Sequence, residues 1–207
     1  DTVGLVPAAL TGEITNSGSL TVVANASGTA PSAIATGIYM ESGLNSSVVT
    51  NTGALNVDAI INVDTGTVSA TGVNLVTTNA GVPGVDDIFT FVNDGGDIVV
   101  RQSVDGGGTW TRGMAINVAG SPNPSVINLL GTSGDGSIYG NIDINPDDVI
   151  NVEDGTTYFD GIINPEVLAL TAVPGSITAA DLDSGLFGEG ALNIQAGGNL
   201  ILADPQV

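Results

Sequence analysis

The chain has no cysteine, no histidine and no lysine, and its only cationic side chains are Arg101 and Arg112. Without cysteine there is no disulfide framework and no thiol chemistry. Without His, Cys or Lys the usual general bases near neutrality are missing, and so is any Ser–His dyad. The formal charge is -20. Nucleic acids and anionic membranes are held by clustered basic residues, so both are excluded as partners. Aromatics make up 4% of the chain, too few for a compact core built on large rings. No run of about 18 apolar residues occurs, so no helix of this sequence spans a bilayer. No signal peptide is visible, and a first residue of Asp1 rather than Met suggests a processed start or an excised segment.

What is abundant points to strands and corners. Of the acids, 17 are Asp and five are Glu. Asp is poor in helices and at home in turns. Ile14-Thr15-Asn16-Ser17-Gly18-Ser19-Leu20 returns 35 residues later as Val49-Thr50-Asn51-Thr52-Gly53-Ala54-Leu55, and Ala35-Thr36-Gly37-Ile38 returns at the same offset as Ala70-Thr71-Gly72-Val73. A fixed period of this size is the mark of a repeat architecture whose units bury their apolar faces against each other. After each Asn-x-Gly corner, where Asn and Gly tolerate a left-handed backbone, the residues alternate. Leu55, Val57, Ala59, Ile61 and Val63 point one way, while Asn56, Asp58, Ile60, Asn62 and Asp64 point the other. Such alternation predicts half-buried strands. At about 3.3 Å per residue a seven-residue strand spans roughly 23 Å, so the period should hold two short coils. A β-sandwich with similar hairpins is the competing architecture.

Three regions follow. Residues 1–80 read as a repeat region with a lead-in segment, 81–120 as an insertion, and 121–207 as a return to the repeat texture. In the insertion, Ile88–Val92 and Ile98–Val104 flank Asn93-Asp94-Gly95-Gly96-Asp97, which reads as a hairpin. Both arginines and the only Trp fall there. Residues 177–187 could hold a helical turn. No polar cap follows Pro205-Gln206-Val207, as expected if the natural protein continues.

Ser103-Val104-Asp105-Gly106-Gly107-Gly108-Thr109-Trp110 resembles the Asp-box, Ser-x-Asp-x-Gly-x-Thr-Trp, of sialidase propellers and other β-proteins. There it is a structural clamp: Ser103, Asp105, Gly107, Thr109 and Trp110 would hold a turn. Propeller enzymes carry several copies and an arginine cluster, and this chain has one copy and two Arg. Acidic turns containing Asp94, Asp97, Asp147 and Asp148 are the candidate calcium ligands, since calcium takes six to eight oxygens at about 2.3–2.6 Å. Solvated turn carboxylates are the competing explanation, and neither the EF-hand nor the glycine-rich nonapeptide pattern is present. A paired-carboxylate glycosidase is the one enzymatic class left open, but adjacent Asp147 and Asp148 would diverge on a strand.

The two Asn-x-Gly blocks, the Ala-Thr-Gly-Ile block, Gly136-Ser137-Ile138-Tyr139-Gly140-Asn141-Ile142-Asp143-Ile144 with Asp148–Val152, and Gly190–Leu200 resemble the coils of autotransporter passenger domains. The resemblance covers about two thirds of the chain and omits 81–120. It implies an all-β, right-handed parallel β-helix (a β-solenoid) on the outer surface of a Gram-negative bacterium, here with a hairpin insertion around 86–118. The translocator barrel of that family has no counterpart in the sequence. The expected role is a non-enzymatic surface protein that adheres to other surface or matrix proteins or to copies of itself. Phe91, Arg101, Trp110 and Arg112 are the expected contact residues, with Trp110 as anchor if exposed. The alternatives are a calcium-dependent surface-layer or matrix subunit, and a carbohydrate-binding or polysaccharide-cleaving β-helix, which would need aromatics or a carboxylate pair along one face.

Overall fold

The computed structural model describes residues 2–5, 13–41, 48–63, 65–76, 88–121, 123–163, 175–177 and 191–203. Strand β1 (Thr2–Leu5) comes first. A circuit follows of β2 (Glu13–Asn16), β3 (Ser19–Ala26) and β4 (Ser32–Glu41), and a second of β5 (Val48–Asn51), β6 (Ala54–Ile61) and β7 (Thr67–Val76). The third holds β8 (Phe89–Asp94), β9 (Asp97–Ser103), the short β10 (Thr111–Arg112) and β11 (Met114–Asn117). The fourth holds β12 (Ser125–Leu130), β13 (Gly136–Tyr139) and β14 (Asn141–Asp143). Then come β15 (Val149–Glu153), β16 (Gly155–Asp160), β17 (Gly175–Ile177), β18 (Ala191–Ile194) and β19 (Gly198–Leu202). Among the described residues there is no helix, hence none long and apolar enough to cross a membrane.

The strands form three sheets that the chain visits in a fixed cyclic order. The first sheet takes β2, β5, β8, β12, β15 and β18, and the second takes β3, β6, β9, β13, β16 and β19. The third takes β1, β4, β7, β11 and β14. Neighbours within each series are parallel, and β10 on β9 and β17 on β19 are antiparallel additions to the second sheet. Side-chain alternation decides what is buried. In the first sheet Ile14, Val49, Phe91, Ile127, Ile150 and Leu192 stack in register. In the second, Leu20, Leu55, Ile98, Ile138, Phe159 and Leu202 do the same. Apart from the partly buried Ile14 and Leu20 of the first circuit, these side chains are buried. Each is worth roughly 1.5–3 kcal/mol of apolar burial.

The register corrects three expectations. Leu20 pairs with Leu55 and Asn16 with Asn51, so one 35-residue period is a single circuit of three strands, not two coils. The segment 93–97 is not a hairpin loop: β8 pairs with β5 and β12, and β9 with β6 and β13, all parallel. It is a corner between two sheets, with Gly95 at φ 68 making the bend. The insertion foreseen over 86–118 therefore contracts to the turn between β9 and β10. Third, the lead-in residues 2–5 belong to the repeat. Val3 pairs with Thr36 and Leu5 with Ile38, so Val3-Gly4-Leu5 is another copy of Thr-Gly-Ile. Apart from Ile177, the foreseen helical turn at 177–187 lies outside the described residues.

At the corner between the first and second sheets the side chains of Asn16, Asn51 and Asn93 form a ladder. Asn16 Nδ2 donates to Asn51 Oδ1 (2.8 Å), Asn51 Nδ2 to Asn93 Oδ1 (2.7 Å), and Asn93 Nδ2 to the Gly96 carbonyl (2.8 Å). Asn51 and Asn93 are fully buried, so the ladder satisfies polar groups that water cannot reach.

Candidate functional site

The outward face of the second sheet gathers both arginines of the chain, its one Trp and two of its three Tyr. Alternation turns Ile98, Val100, Ile138 and Phe159 inward and leaves Arg101, Tyr139, Tyr158 and Asp160 on the other side. The turn after β9 then folds over this face. Ser103 Oγ donates to Asp105 Oδ1 (2.7 Å) and accepts from Gly107 N–H (2.9 Å), and Asp105 Oδ1 accepts from Thr109 N–H (2.8 Å). Gly106 and Gly107 have φ of 75 and 94, conformations that suit glycine. Hydrogen bonds from Thr109, then from Ser103, hold the Asp105 carboxyl well below the usual carboxylate range. The turn is anchored to the preceding circuit by Gly106 N–H donating to the Ile61 carbonyl (2.8 Å). Ser103, Asp105, Gly107 and Thr109 of the Asp-box pattern are thus joined within one turn.

The clamp positions Trp110, half-buried, against Arg101, whose guanidinium carbon lies 4.2 Å from the ring centroid. Arg101 is itself forked onto Asp58, Nε to Oδ1 at 2.7 Å and Nη2 to Oδ2 at 3.0 Å. Arg112 Nη2 donates to Asp160 Oδ1, and its guanidinium carbon lies 5.7 Å from the Tyr139 ring centroid. Tyr158, on the strand next to Tyr139, is 48% exposed. A shallow groove of about 230 Å³ runs between them, lined by Ser137, Tyr139, Tyr158, Asp160, Ile201 and Ala203.

Of the four contact residues expected from sequence, Arg101, Trp110 and Arg112 come together here. Phe91 does not: it is 0% exposed in the core of the first sheet, between Val49 and Ile127, and can touch no partner. Tyr139, Tyr158, Asp58 and Asp160 were missed as members. Phase alone places both tyrosines opposite the core residues, but only the register brings them to the arginines.

The four candidate calcium ligands are dispersed. Asp94 accepts from Thr132 Oγ1 (2.6 Å), Ser133 Oγ (2.8 Å) and Ser133 N–H (2.9 Å). Burial opposes its charge, but these bonds outweigh that and hold its carboxyl below the ordinary value. Asp97 accepts from Ser137 Oγ at 2.6 Å. Asp148 is 1% exposed and accepts from Asn145 N–H (2.6 Å) and Ser125 N–H (2.7 Å), while neighbouring Asp147 is exposed. Among the described residues no three acidic side chains converge on one point.

Burial pushes Asp148 up to about 6, against the pull of the hydrogen bonds from Asn145 and Ser125. A carboxyl whose folded pKa lies above its unfolded value binds its proton more tightly when folded. Its contribution to stability therefore grows as pH falls through about 6 and is complete below about 4. The expected gain is on the order of 1–3 kcal/mol between pH 7 and pH 4. Urea unfolding across that range should show the rise in the native chain and a flatter profile in Asp148→Asn. Equal slopes in the two proteins would contradict the assignment.

No protein-family model matches the chain, and no curated protein or solved structure matches it either.

Proposed function

We propose that the chain is a right-handed parallel β-helix serving as a non-enzymatic, extracellular surface protein of a Gram-negative bacterium, adhesive or structural in role. The observation that carries this reading is the cyclic order of the three sheets, with Asn16, Asn51 and Asn93 stacked on successive circuits. Right-handedness is the hand that nearly all parallel crossovers take. The resemblance of the Asn-x-Gly coils to autotransporter passengers supports the location. So does a cysteine-free chain of charge -20, which stays apart from anionic surfaces and nucleic acid.

A carbohydrate-binding role is the second reading, favoured by the cluster of Trp110, Tyr139 and Tyr158 on one face. A calcium-dependent lattice is the third; it is motivated by net charge alone, since Asp94, Asp97, Asp147 and Asp148 do not converge on one point.

Beads coated with the purified protein test the main reading. They are expected to attach to cells or extracellular matrix, or to one another, well above albumin-coated beads, in calcium and in chelator alike. Beads that attach to nothing would overturn the adhesive role. Attachment or regular assembly only in calcium would favour the lattice.

A further inference from the structure

We propose that the outward face of the second sheet, across Trp110, Tyr139 and Tyr158 and the two Arg–Asp pairs, is a binding site for an extended, uncharged oligosaccharide. This deepens the adhesive reading and rests on it, naming the class of partner the surface would hold.

The aromatic inventory argues for a site. Among the described residues, Phe89, Phe91 and Phe159 are core. Of the four other described aromatics, Trp110, Tyr139 and Tyr158 share one face, and Tyr39 lies on the third sheet. Leaving Tyr158 about half exposed forgoes apolar burial, which a ligand can recover. The C–H faces of pyranose rings are apolar and stack on aromatic planes, while their hydroxyls need both donors and acceptors. The two ion pairs supply both. The Asp58 and Asp160 carboxylates accept, and the guanidiniums of Arg101 and Arg112 donate in a fixed fork.

Charge chooses among saccharides. The only two arginines of the chain are each matched by a carboxylate here, so the face carries no cationic surplus. A chain of formal charge -20 repels sulfated and uronic-acid glycans. An uncharged glycan escapes that penalty. The pitch of the surface also fits: parallel strands lie about 4.8 Å apart, close to the advance of one ring in an extended glycan. A chain of sugars laid across β9, β13, β16 and β19 would meet a new strand with each ring. The groove of about 230 Å³ between Tyr139 and Tyr158 suits one ring. It is smaller than the roughly 300–1,000 Å³ of pockets that engulf a ligand, so single-site affinity should be weak and attachment should rely on many copies.

The test is an array of neutral, sulfated and uronic-acid oligosaccharides, followed by calorimetric titration with cellohexaose, chitohexaose and mannohexaose. At least one neutral hexasaccharide should bind, and Tyr158→Ala should weaken it tenfold or more with the melting temperature nearly unchanged. Tyr158→Phe should keep most of the affinity, because the stacking plane survives. Binding only to anionic glycans, no binding to any neutral one, or equal affinity in Tyr158→Ala would each overturn the proposal. Beads that attach to cells without competition from the hexasaccharides, and equally well with Tyr158→Ala, would overturn it while sparing the adhesive role. Hexasaccharide binding without bead attachment would uphold the site and remove that role.

Discussion

Gly53→Ala should destabilise the protein by about 3 kcal/mol or more, whereas Gly18→Ala, at the equivalent place in the same motif, should be nearly neutral. A Cβ on Gly53 would fall on the carbonyl oxygen of Gly18 and 2.8 Å from its nitrogen. Those are backbone atoms, which cannot rotate away. Moving them would loosen the corner bonds from Thr52 and Gly53 N–H to the Asn16 carbonyl (2.9 and 3.1 Å) and from Ala54 N–H to the Gly18 carbonyl (2.8 Å). Gly18 itself has nothing within 4 Å of its virtual Cβ. There the substitution mainly restricts the unfolded chain, worth a few tenths of a kcal/mol in favour of folding. Neither glycine is among the residues of positive φ, so close stacking, not left-handed geometry, requires Gly53. Urea or thermal unfolding of the two variants checks the contrast. Equal effects at both positions would show that the circuits do not stack here.

Asn51→Ala should cost about 3 kcal/mol, through the middle rung of the ladder. The side chain is 0% exposed, accepts from Asn16 and donates to Asn93 Oδ1 (2.7 Å) and the Gly53 carbonyl (3.2 Å). Truncation leaves the buried Asn93 oxygen without its donor, a penalty of roughly 1–3 kcal/mol, and opens a small void beside it. Asn193→Ala is the control. It sits on an outer ladder, Asn193 Nδ2 to Asn151 Oδ1 at 3.1 Å, where water replaces the lost bond and the change should stay within about 0.5 kcal/mol. Comparable losses in both variants would contradict the distinction between the inner and outer ladders.

Local chemistry was legible in the sequence; long-range pairing was not. The alternation of Leu55 to Ile61, the Asp-box turn and the 35-residue echo all depend on residues within one or two strands, and they gave strand, clamp and repeat. Asn93-Asp94-Gly95-Gly96-Asp97 misled because a tight corner between parallel sheets uses the same turn residues as a hairpin. Only the partners β5, β6, β12 and β13 separate the two. Gly140, at φ 139, is a corner that residue type alone does not mark. It splits the apparently continuous run around Ile138 and Ile142 into strands of two different sheets.

The repeat faded after residue 80 for a physical reason. The spacing between stacked neighbours is 35 residues at Asn16–Asn51, 42 at Asn51–Asn93, 40 at Asp97–Ser137 and 23 at Asn128–Asn151. Stacking fixes the strands and leaves the connecting loops free in length, so a constant period is not needed. The contact face was half legible for a related reason. Trp110 and the arginines stood out by scarcity, whereas Tyr158 and Asp160 join them only through the pairing of β13 with β16.

One 35-residue period carries the chain once through the three sheets, and a disulfide test reads this directly in a chain with no cysteine of its own. Thr21→Cys with Asn56→Cys joins two residues in register on neighbouring parallel strands, about 4.8 Å apart. That lies within the reach of a disulfide. Mild oxidation should cross-link this pair quickly, with no loss of stability, and far faster than Thr21→Cys paired with Asp58→Cys. Were the period to hold two coils, residues 21 and 56 would be separated by two strand spacings, about 9.6 Å. The first pair would then stay reduced, and a single pass per period would be ruled out.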